Sequence, residues 1–438
     1  MFCNQCEQSA QNGCTGKAGV CGKNEDINSL QDILLYGVKG ISAYAFHLRQ
    51  LGIADEEIDG FVHEALFSTL TNTDFDAGRF LELILRAGRI NIKVMELLDR
   101  AHRERFGDSV PVDVPTGSFE GRGILVTGHD LLDLYELLKQ TEGKGINIYT
   151  HGEMLPAHGY PELKKFKHLA ANWGGAWHKQ RSEFEAFPGA ILATTNCVLM
   201  PKDSYKDRLF TCGIAGIEGA IHIKERDFSP LIKRALEMPS LQYKKGSILT
   251  TGFKHTNVLA LAGKIVEAVK AGKISHFFLI GGCDAPGEDG NYYRAFAESA
   301  PKDSVILTLA CGKFRINDID FGDIDGIPRL IDLGQCNDAY SAIKIAGALA
   351  EAFKTDVNGL PLTLILSWFE QKAVAILLSL LYLDIKGMRI GPKPPAFITN
   401  GVLEILQDKF DLKLTGEPNL DLDESLAKNE PAPVKVSY

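Results

Sequence analysis

The segment ILVTGHDLLDLYELLKQTEGKGINIYTHGE, residues 124–153, decides the fold of this chain. Two β-rich runs, 124–128 and 146–150, enclose an amphipathic stretch at 131–140, an order that is typical of a β-α-β unit. The alternation continues downstream with the β-rich runs AILATT 190–195, SILTTG 247–252, HFFLIGG 276–282, VILTLA 305–310, PRLIDLG 328–334 and LTLILSWF 362–369. Apolar strands that alternate with helices predict two Rossmann-like α/β domains with parallel sheets covered on both faces.

The residues before this region follow a different pattern. A loop rich in glycine, asparagine and cysteine is followed by helical periodicity at 34–48 and 83–97, with a weaker amphipathic stretch between them that Asp55 caps. These features predict one bundle of about three helices that ends near Phe106. We therefore predict a multidomain α and α/β protein with four segments: the N-terminal cysteine loop plus a single helical bundle (1–115), two α/β domains (116–242 and 243–416), and a loosely ordered tail (417–438).

Composition excludes several classes of protein. The 438 residues include 47 basic and 56 acidic side chains, a net charge of −9, so we expect no nucleic-acid partner. The longest apolar run, near 373–383, is far shorter than the ~20 residues that a bilayer span requires. The sequence begins MFCNQC, without a basic region or an apolar signal segment, and we expect a cytoplasmic location.

Four of the nine cysteines lie within the first 21 residues, spaced C-x2-C-x7-C-x6-C, at Cys3, Cys6, Cys14 and Cys21. In a reducing compartment, clustered thiols are more typical of metal ligands than of disulfides. Structural zinc usually has two short C-x(2–4)-C pairs, and the second pair here is too widely spaced. The spacing favours an iron–sulfur cluster over zinc, with free thiols as the third possibility.

A second group of potential ligands lies at the ends of the predicted strands. Seven of the β-rich runs are each followed by one such residue. These residues are His129, Glu153, Cys197, Cys283, Cys311, Cys336 and Glu370. A single cysteine after a strand is more often a small buried hydrophobe, and a single loop glutamate is usually solvated. Seven together favour a metal site, because the carboxyl ends of parallel strands meet at one crevice. Mixed sulfur, nitrogen and oxygen donors suggest a cluster with open positions that binds a small molecule. Cys212 also ends an apolar run, DRLFTC, and the pattern alone does not separate it from the others.

Several motifs closely resemble those of the hybrid-cluster (prismane) proteins, the hydroxylamine reductase family. They are MFCNQCEQSA, GCTGKAGVCGK, THGEMLPAHGYP, TTNCVLMP, LIGGCD, TLACGK, LGQCND and SWFEQKAV. The resemblance runs from residue 1 to about residue 415. It is to the short class III branch, because only 107 residues separate Cys21 from His129, which leaves room for one bundle.

The resemblance implies two iron–sulfur centres. Cys3, Cys6, Cys14 and Cys21 would hold a 4Fe–4S cluster, and the seven strand-end residues would hold a hybrid iron–sulfur–oxygen cluster of the 4Fe–2O–2S type. Cys283 matches the position that carries a persulfide in this family. Lys372 resembles a lysine near the cluster, although an ordinary cation at a helix start is the alternative. Cys212 matches no ligand and is interpreted as a spare buried thiol.

The implied activity is the reduction of small nitrogen oxides with electrons from a protein donor that enter through the 4Fe–4S cluster. Hydroxylamine takes two electrons and two protons to give ammonia and water, and two molecules of nitric oxide are coupled to nitrous oxide. Glu153, Cys283, Glu370 and Lys372 are the candidate catalytic residues, with the carboxylates and the lysine as proton carriers. The alternatives are a nitric oxide or redox sensor that also nitrosylates partners, an electron-transfer module, and a relative of the nickel carbon monoxide dehydrogenases. The single bundle also suggests a homodimer, if it exposes apolar surface that a second bundle would cover.

Overall fold

The computed structural model describes residues 2–9 and 11–427. The N-terminal region is a helical bundle of α1 (Glu25–Gln50), α2 (Glu56–Ser68) and α3 (Ala77–Phe106). Each helix begins at an Asn or Asp whose side chain accepts a backbone N–H of the first turn: Asn24, Asp55 and Asp76. The predicted cap at Asp55 and the predicted end near Phe106 are both confirmed.

The first α/β region contains a six-stranded, fully parallel sheet in the order β4-β3-β2-β5-β6-β7. Its strands, with the preceding β1, are β1 (Val112–Pro115), β2 (Arg122–Thr127), β3 (Ile146–His151), β4 (Leu169–Asn172), β5 (Ala190–Ala193), β6 (Leu209–Cys212) and β7 (Ile221–Ile223). Its helices are α4 (Leu131–Thr141), α5 (Pro161–Lys164), α6 (Gln180–Ala186), α7 (Asp203–Lys206) and α8 (Ser229–Glu237).

The second α/β region repeats this topology, in the order β13-β10-β9-β14-β15-β16. Its strands, with β8 and a short hairpin, are β8 (Ile248–Thr251), β9 (His276–Gly282), β10 (Ser304–Thr308), β11 (Asp323–Ile324), β12 (Ile327–Pro328), β13 (Leu330–Asp332), β14 (Leu362–Ser367), β15 (Arg389–Gly391) and β16 (Lys413–Leu414). Its helices are α9 (His255–Ala260), α10 (Ala262–Lys270), α11 (Asn291–Ser299), α12 (Ala339–Phe353), α13 (Gln371–Tyr382), α14 (Asn400–Phe410) and α15 (Pro418–Ala427). Both sheets have the strand order of a doubly wound nucleotide-binding fold, and the prediction of two Rossmann-like domains is confirmed.

One predicted strand, SILTTG 247–252, has a different role from its neighbours. It forms β8, which pairs antiparallel with β1 in a separate two-stranded ribbon rather than joining a parallel sheet. Its partner β1 lies in the Pro- and Gly-containing segment after the bundle, where the sequence carries no strand pattern. The ribbon therefore pairs the segment that leads into the first α/β region with the segment that leads into the second.

The bundle is completed by a helix from the second α/β region. Helix α13 packs against both α1 and α3, and small residues permit this approach. A Cβ on Gly88 would lie 2.0 Å from the carbonyl oxygen of Leu378, and a Cβ on Gly40 would lie 2.6 Å from that of Gln371. The expected three-helix bundle therefore packs around a fourth helix whose first turn carries Lys372.

A buried ionic cluster joins the bundle to the second α/β region. Lys254, 1% exposed at the start of α9, pairs with Asp338 at 2.6 Å and with Asp99 of α3 at 3.1 Å. Burial alone would lower the pKa of Lys254, but these carboxylates and Tyr160 raise it well above its usual value. The lysine is therefore held as a cation between two carboxylates.

The prediction of a loosely ordered tail from residue 417 is wrong for residues 418–427, which form α15. Leu422 is buried in the apolar cluster that contains Phe296, and Arg389 pairs with Asp421 at 2.9 Å. The sequence segment looked acidic and non-periodic because only one side of a short helix is anchored. The rest of the predicted tail, 428–438, lies outside the described residues. Among the described helices, none has the length and apolar character needed to cross a membrane.

Candidate metal centre

The seven strand-end residues emerge from the carboxyl edges of the two parallel sheets. In each sheet the connections run in opposite directions from one central pair of strands, β2 and β5 in the first and β9 and β14 in the second. His129 and Cys197 follow the first pair, and Cys283 and Glu370 follow the second. Glu153 follows β3, while Cys311 and Cys336 follow β10 and β13. Such switch points form the ligand-binding crevice of open α/β sheets.

His129, Glu153 and Cys336 lie closest together. Their ligand atoms are all within 4.8 Å of one another, and they are the one group within the described residues close enough for a single metal ion. His129 Nε2 is 3.3 Å from Glu153 Oε2, which also accepts the backbone N–H of Cys336 at 2.7 Å. The site thus joins a histidine and a carboxylate of the first sheet to a thiol of the second.

The remaining thiols and Glu370 surround the same volume. Cys311 interacts electrostatically with Glu153, Cys197 and Cys283, and Cys283 interacts with Glu370. An apolar cavity of about 250 Å³ in the second α/β region is lined by both Cys283 and Cys336. The structure therefore brings together all seven residues that the sequence singled out at strand ends.

Lys372 is part of this group rather than an ordinary cation at a helix start. Its Nζ, in a side chain that is 2% exposed, lies 3.0 Å from His129 Nε2 and 3.0 Å from Asn196 Oδ1, and 3.8 Å from Glu370. Glu370 itself caps α13, because its carboxylate accepts the backbone N–H of Lys372 at 3.0 Å.

Four neighbours of the site were not identified from the sequence. Tyr44 of α1 donates its hydroxyl to Cys336 Sγ at 3.3 Å, and Trp177 donates Nε1–H to the Cys283 carbonyl at 2.8 Å. Gln335 bridges the two sheets, because its amide donates to the carbonyls of His129 and Glu153 at 3.1 and 2.8 Å. Asn196 and Gln335 directly precede predicted ligands, a signal that could have found them. Tyr44 and Trp177 carry no such signal.

The protonation states follow from burial and local charge. Burial, followed by the charge of Lys372, lowers the pKa of His129, so its imidazole is neutral and able to act as a ligand. Burial alone would raise the pKa of Glu153, but pairing with His129 and the charge of Lys372 lower it to about 2. Burial alone would lower the pKa of Lys372, yet the acidic side chains around it, Cys336 first and Glu370 next, raise it.

The buried thiols complete the test of whether a cluster fits. Burial and the nearby Glu370 raise the pKa of Cys283 to about 12, and burial also raises the pKa values of Cys197, Cys311 and Cys336 well above the usual range. Without a metal such thiols stay protonated, whereas bound iron removes the proton and supplies the missing positive charge. Four soft sulfur donors with one imidazole and two carboxylates suit iron–sulfur coordination with a harder, oxygen-rich side. The donor set fits the expected hybrid centre.

The N-terminal cysteine loop folds back on itself beside α1. Cys3 and Cys14 are paired by two backbone hydrogen bonds of 3.1 and 2.7 Å, and Cys21 Sγ lies 3.9 Å from the Thr71 carbonyl. All four N-terminal cysteines are free thiols, with Cys3 buried and Cys6, Cys14 and Cys21 half-buried. Thiols that hold a multi-iron cluster need not come as close together as the ligands of a single ion.

Cys212 lies apart from the seven. It ends β6, one strand removed from the switch point, and its Sγ is 3.3 Å from Asp133 Oδ2, a carboxylate also paired with Arg226 at 2.6 Å. Burial, with the neighbouring Asp133, raises the pKa of this thiol. Cys212 is thus a buried, protonated thiol in a separate polar cluster.

The sequence comparisons define the class of protein. The pattern of the Prismane/CO dehydrogenase family matches residues 1–84 and 52–424, and the chain belongs to this family. The predicted resemblance to the prismane proteins is confirmed, and with it an oxidoreductase whose family implies iron–sulfur clusters.

Within the family, close relatives bear one name. A protein from Moorella thermoacetica named hydroxylamine reductase is 64% identical over 97% of this chain and 100% of its own length. Another from Thermotoga maritima with that name is 54% identical over 97% and 99% of the two chains. In structure, carbon monoxide dehydrogenase IV from Carboxydothermus hydrogenoformans aligns with a TM-score of 0.78 over 97% of this chain and 92% of that one. At 16% identity, this similarity establishes the shared fold alone.

Proposed function

We propose that the chain reduces hydroxylamine to ammonia and water at a hybrid iron–sulfur–oxygen cluster held by the seven strand-end residues. The observation that carries this proposal is the convergence of three buried thiols, the half-buried thiol of Cys197, one neutral imidazole and two carboxylates on one volume between two sheets. The names of the relatives support the substrate. When bound, such a cluster would supply electrons and an open iron position that acts as a Lewis acid.

The chain's own residues would supply protons and orientation. Lys372 Nζ, 3.0 Å from His129 Nε2, is a buried cation that can donate to a substrate oxygen as the N–O bond breaks. Glu370, 3.8 Å from Lys372 and more exposed to solvent at 15% against 2%, can return the proton to the lysine. Trp177, stacked on Phe369 at 3.6 Å, covers Cys283 on the side facing the first α/β region and limits the access of water there.

The N-terminal thiols would hold a 4Fe–4S cluster that receives electrons from a protein donor. Helix α1 begins beside this loop and carries Tyr44, which donates to Cys336. From Gln31 to Tyr44 the helix rises about 20 Å at ~1.5 Å per residue. One rigid element therefore fixes the separation of the two proposed centres.

The apolar cavity favours a second substrate, nitric oxide, which would be coupled to nitrous oxide at the same centre. The cavity ends at Cys283 and Cys336, and its other walls are almost entirely aliphatic. Small uncharged gases partition into such cavities, whereas hydroxylamine does not. Cys283, with access to this cavity, is also the thiol for which we propose a persulfide.

The test is anaerobic analysis of iron, nickel, zinc and acid-labile sulfide, combined with oxidation of reduced methyl viologen by hydroxylamine or nitric oxide. About eight irons per chain, no nickel and turnover with hydroxylamine would support two clusters and a reductase. Cys311→Ser should lose the hybrid centre and turnover, whereas Cys212→Ser, a matched buried thiol outside the site, should keep both. About four irons with no turnover would replace the reductase with a sensor or an electron carrier.

We also propose a homodimer. The end of α2 and the loop after it expose four large apolar side chains next to the loop that holds Cys21: Leu66, Phe67, Leu70 and Phe75. An exposed apolar patch of this kind favours a protein contact. A monomer by light scattering at micromolar concentration would contradict this proposal.

A further inference from the structure

A buried lysine lies against the proposed N-terminal cluster site. Lys23, 1% exposed, places its Nζ 3.3 Å from Cys3 Sγ and 2.8 Å from Gln31 Oε1. In the described part of the chain no carboxylate lies within ion-pair distance of this ammonium. A buried charge without a counterion is costly, so its position requires a negative partner.

Gln31, which accepts a hydrogen bond from Lys23, also has an unsatisfied polar group. Gln31 of α1 is 3% exposed, and its Nε2 has no hydrogen-bond acceptor among the described residues. Buried amide N–H groups are nearly always paired, and an unpaired one marks an unseen acceptor. Lys23 donates to Oε1 of this carboxamide, so the unpaired N–H groups on the same carboxamide lie near Lys23 and remain available to a further acceptor.

The nearest carboxylate only partly offsets the charge. Asp32, half-buried, accepts from Asn28 at 3.0 Å and senses Lys23 electrostatically. Burial raises the pKa of Asp32, and Lys23 opposes this effect. The ammonium in contact with Cys3 therefore has no carboxylate in direct contact among the described residues.

We infer that Lys23 and Gln31 donate hydrogen bonds to the sulfurs of the N-terminal cluster and raise its reduction potential. This inference rests on the proposed function, since it assumes a cluster on Cys3, Cys6, Cys14 and Cys21. A one-electron reduction of the cluster adds one negative charge and makes or breaks no bond. A buried cation and N–H donors stabilise the more negative, reduced form. The pair thus makes the N-terminal cluster a ready acceptor for electrons from the donor.

The test is a redox titration of the purified, cluster-loaded protein, poised with dithionite and monitored by electron paramagnetic resonance of the N-terminal cluster. Lys23→Met, which keeps the length of the side chain but removes the charge, should lower the equilibrium constant for reduction at least tenfold. For a one-electron couple this corresponds to a potential about 59 mV more negative. Lys23→Arg keeps the positive charge and should therefore keep most of the wild-type potential. Gln31→Leu should lower the potential by less than Lys23→Met does.

Lys17→Met is the control, because Lys17 is an exposed lysine of the same loop and should leave the potential unchanged. If Lys23→Met does not assemble the cluster, Lys23→Arg and Gln31→Leu decide the question. Unchanged potentials in variants that contain the cluster would overturn this inference and leave the proposed function standing. A wild-type protein without an N-terminal cluster would overturn the proposed function itself.

Discussion

A single methyl group at residue 88 should disturb the proposed metal site about two helical turns away. Gly88 lies in α3 where α13 crosses it, and an added Cβ would be 2.0 Å from the Leu378 carbonyl oxygen. Ordinary contact begins at 3.4 Å, so the two helices must separate locally by 3.4 − 2.0 = 1.4 Å. The two nearest obstacles, the carbonyl oxygen and carbon of Leu378 at 2.0 and 2.5 Å, are backbone atoms, which cannot rotate away as a side chain could. Overpacking of this kind costs about 1–3 kcal/mol, and we expect Gly88→Ala to lie near the upper end.

The displacement should reach the site because α13 is rigid. Glu370 caps this helix eight residues before Leu378, which is about 12 Å at ~1.5 Å per residue. Lys372, in the first turn, is 3.0 Å from His129. A shift of about 1 Å is enough to lose that contact, so proton delivery should slow even in molecules that remain folded.

Three measurements test this reasoning together: the urea midpoint, the iron content and the rate of methyl viologen oxidation. Gly88→Ala should lower the urea midpoint and turnover while the N-terminal cluster stays intact. Gly60→Ala is the matched control, because Gly60 lies within α2 with no atom within 4 Å of the added Cβ. It should raise stability by up to about 1 kcal/mol. A Gly88→Ala protein as stable and as active as the wild type would refute the close packing of α3 on α13.

Three further predictions follow from buried polar groups. Lys254→Met should destabilise the fold by about 3–5 kcal/mol, measured by urea unfolding, because it leaves Asp338 buried without its cation and Asp99 paired with Arg103 alone. An effect under about 1 kcal/mol would contradict the ionic cluster. Burial lowers the pKa of His276 to about 4, so the folded state stays neutral while the unfolded state takes up a proton below about pH 6.5. Protonation of His276 in the unfolded state should therefore lower the free energy of unfolding by about 2 kcal/mol between pH 7 and pH 5. His276→Phe should remove this part of the pH dependence. An equal pH dependence of the unfolding free energy in both proteins would show that His276 is not its source. Tyr44→Phe removes the hydroxyl donor to Cys336 and should make the potential of the hybrid centre more negative while that of the N-terminal cluster is unchanged; equal shifts at both centres would show a general effect on the fold.

The sequence predicted the position of the seven proposed ligands at strand ends because two local signals coincide at each of them. An apolar run marks a buried strand, and a cysteine, histidine or glutamate directly after it marks the edge where parallel strands meet. Both signals are readable within ten residues, as in ILVTGH or HFFLIGGC. The strand order of the sheets was not needed for the prediction, because every ligand lies on the same edge whatever that order is.

Contacts between distant segments were not readable in this way. Tyr44 occupies one more apolar position in the periodicity of α1, and only the fold shows that its hydroxyl meets Cys336, 292 residues later. The pairing of β1 with β8 and the packing of α13 on Gly88 are equally remote in the chain. Lys372 was ambiguous for the same reason: its helix-start position is local, but its contact with His129 is not. Sequence periodicity reports which face of an element is buried and says nothing about which element covers it.

The proposed ligands are divided between the two sheets, so metal binding there would be linked to the docking of the two α/β regions. The first sheet contributes His129, Glu153 and Cys197, and the second contributes three thiols and Glu370, so neither sheet holds the set alone. The contacts that join the sheets at this point without metal are polar, and those of Gln335, Trp177 and Lys372 are among them. A ligand that binds only the docked arrangement stabilises it in proportion to its affinity. The metal-free protein should therefore open between the two sheets first, with faster amide exchange at Gln335 and Trp177 than within β2 or β9. Equal protection of these sites with and without metal would mean that the sheets are held together by the bundle and the ribbon alone.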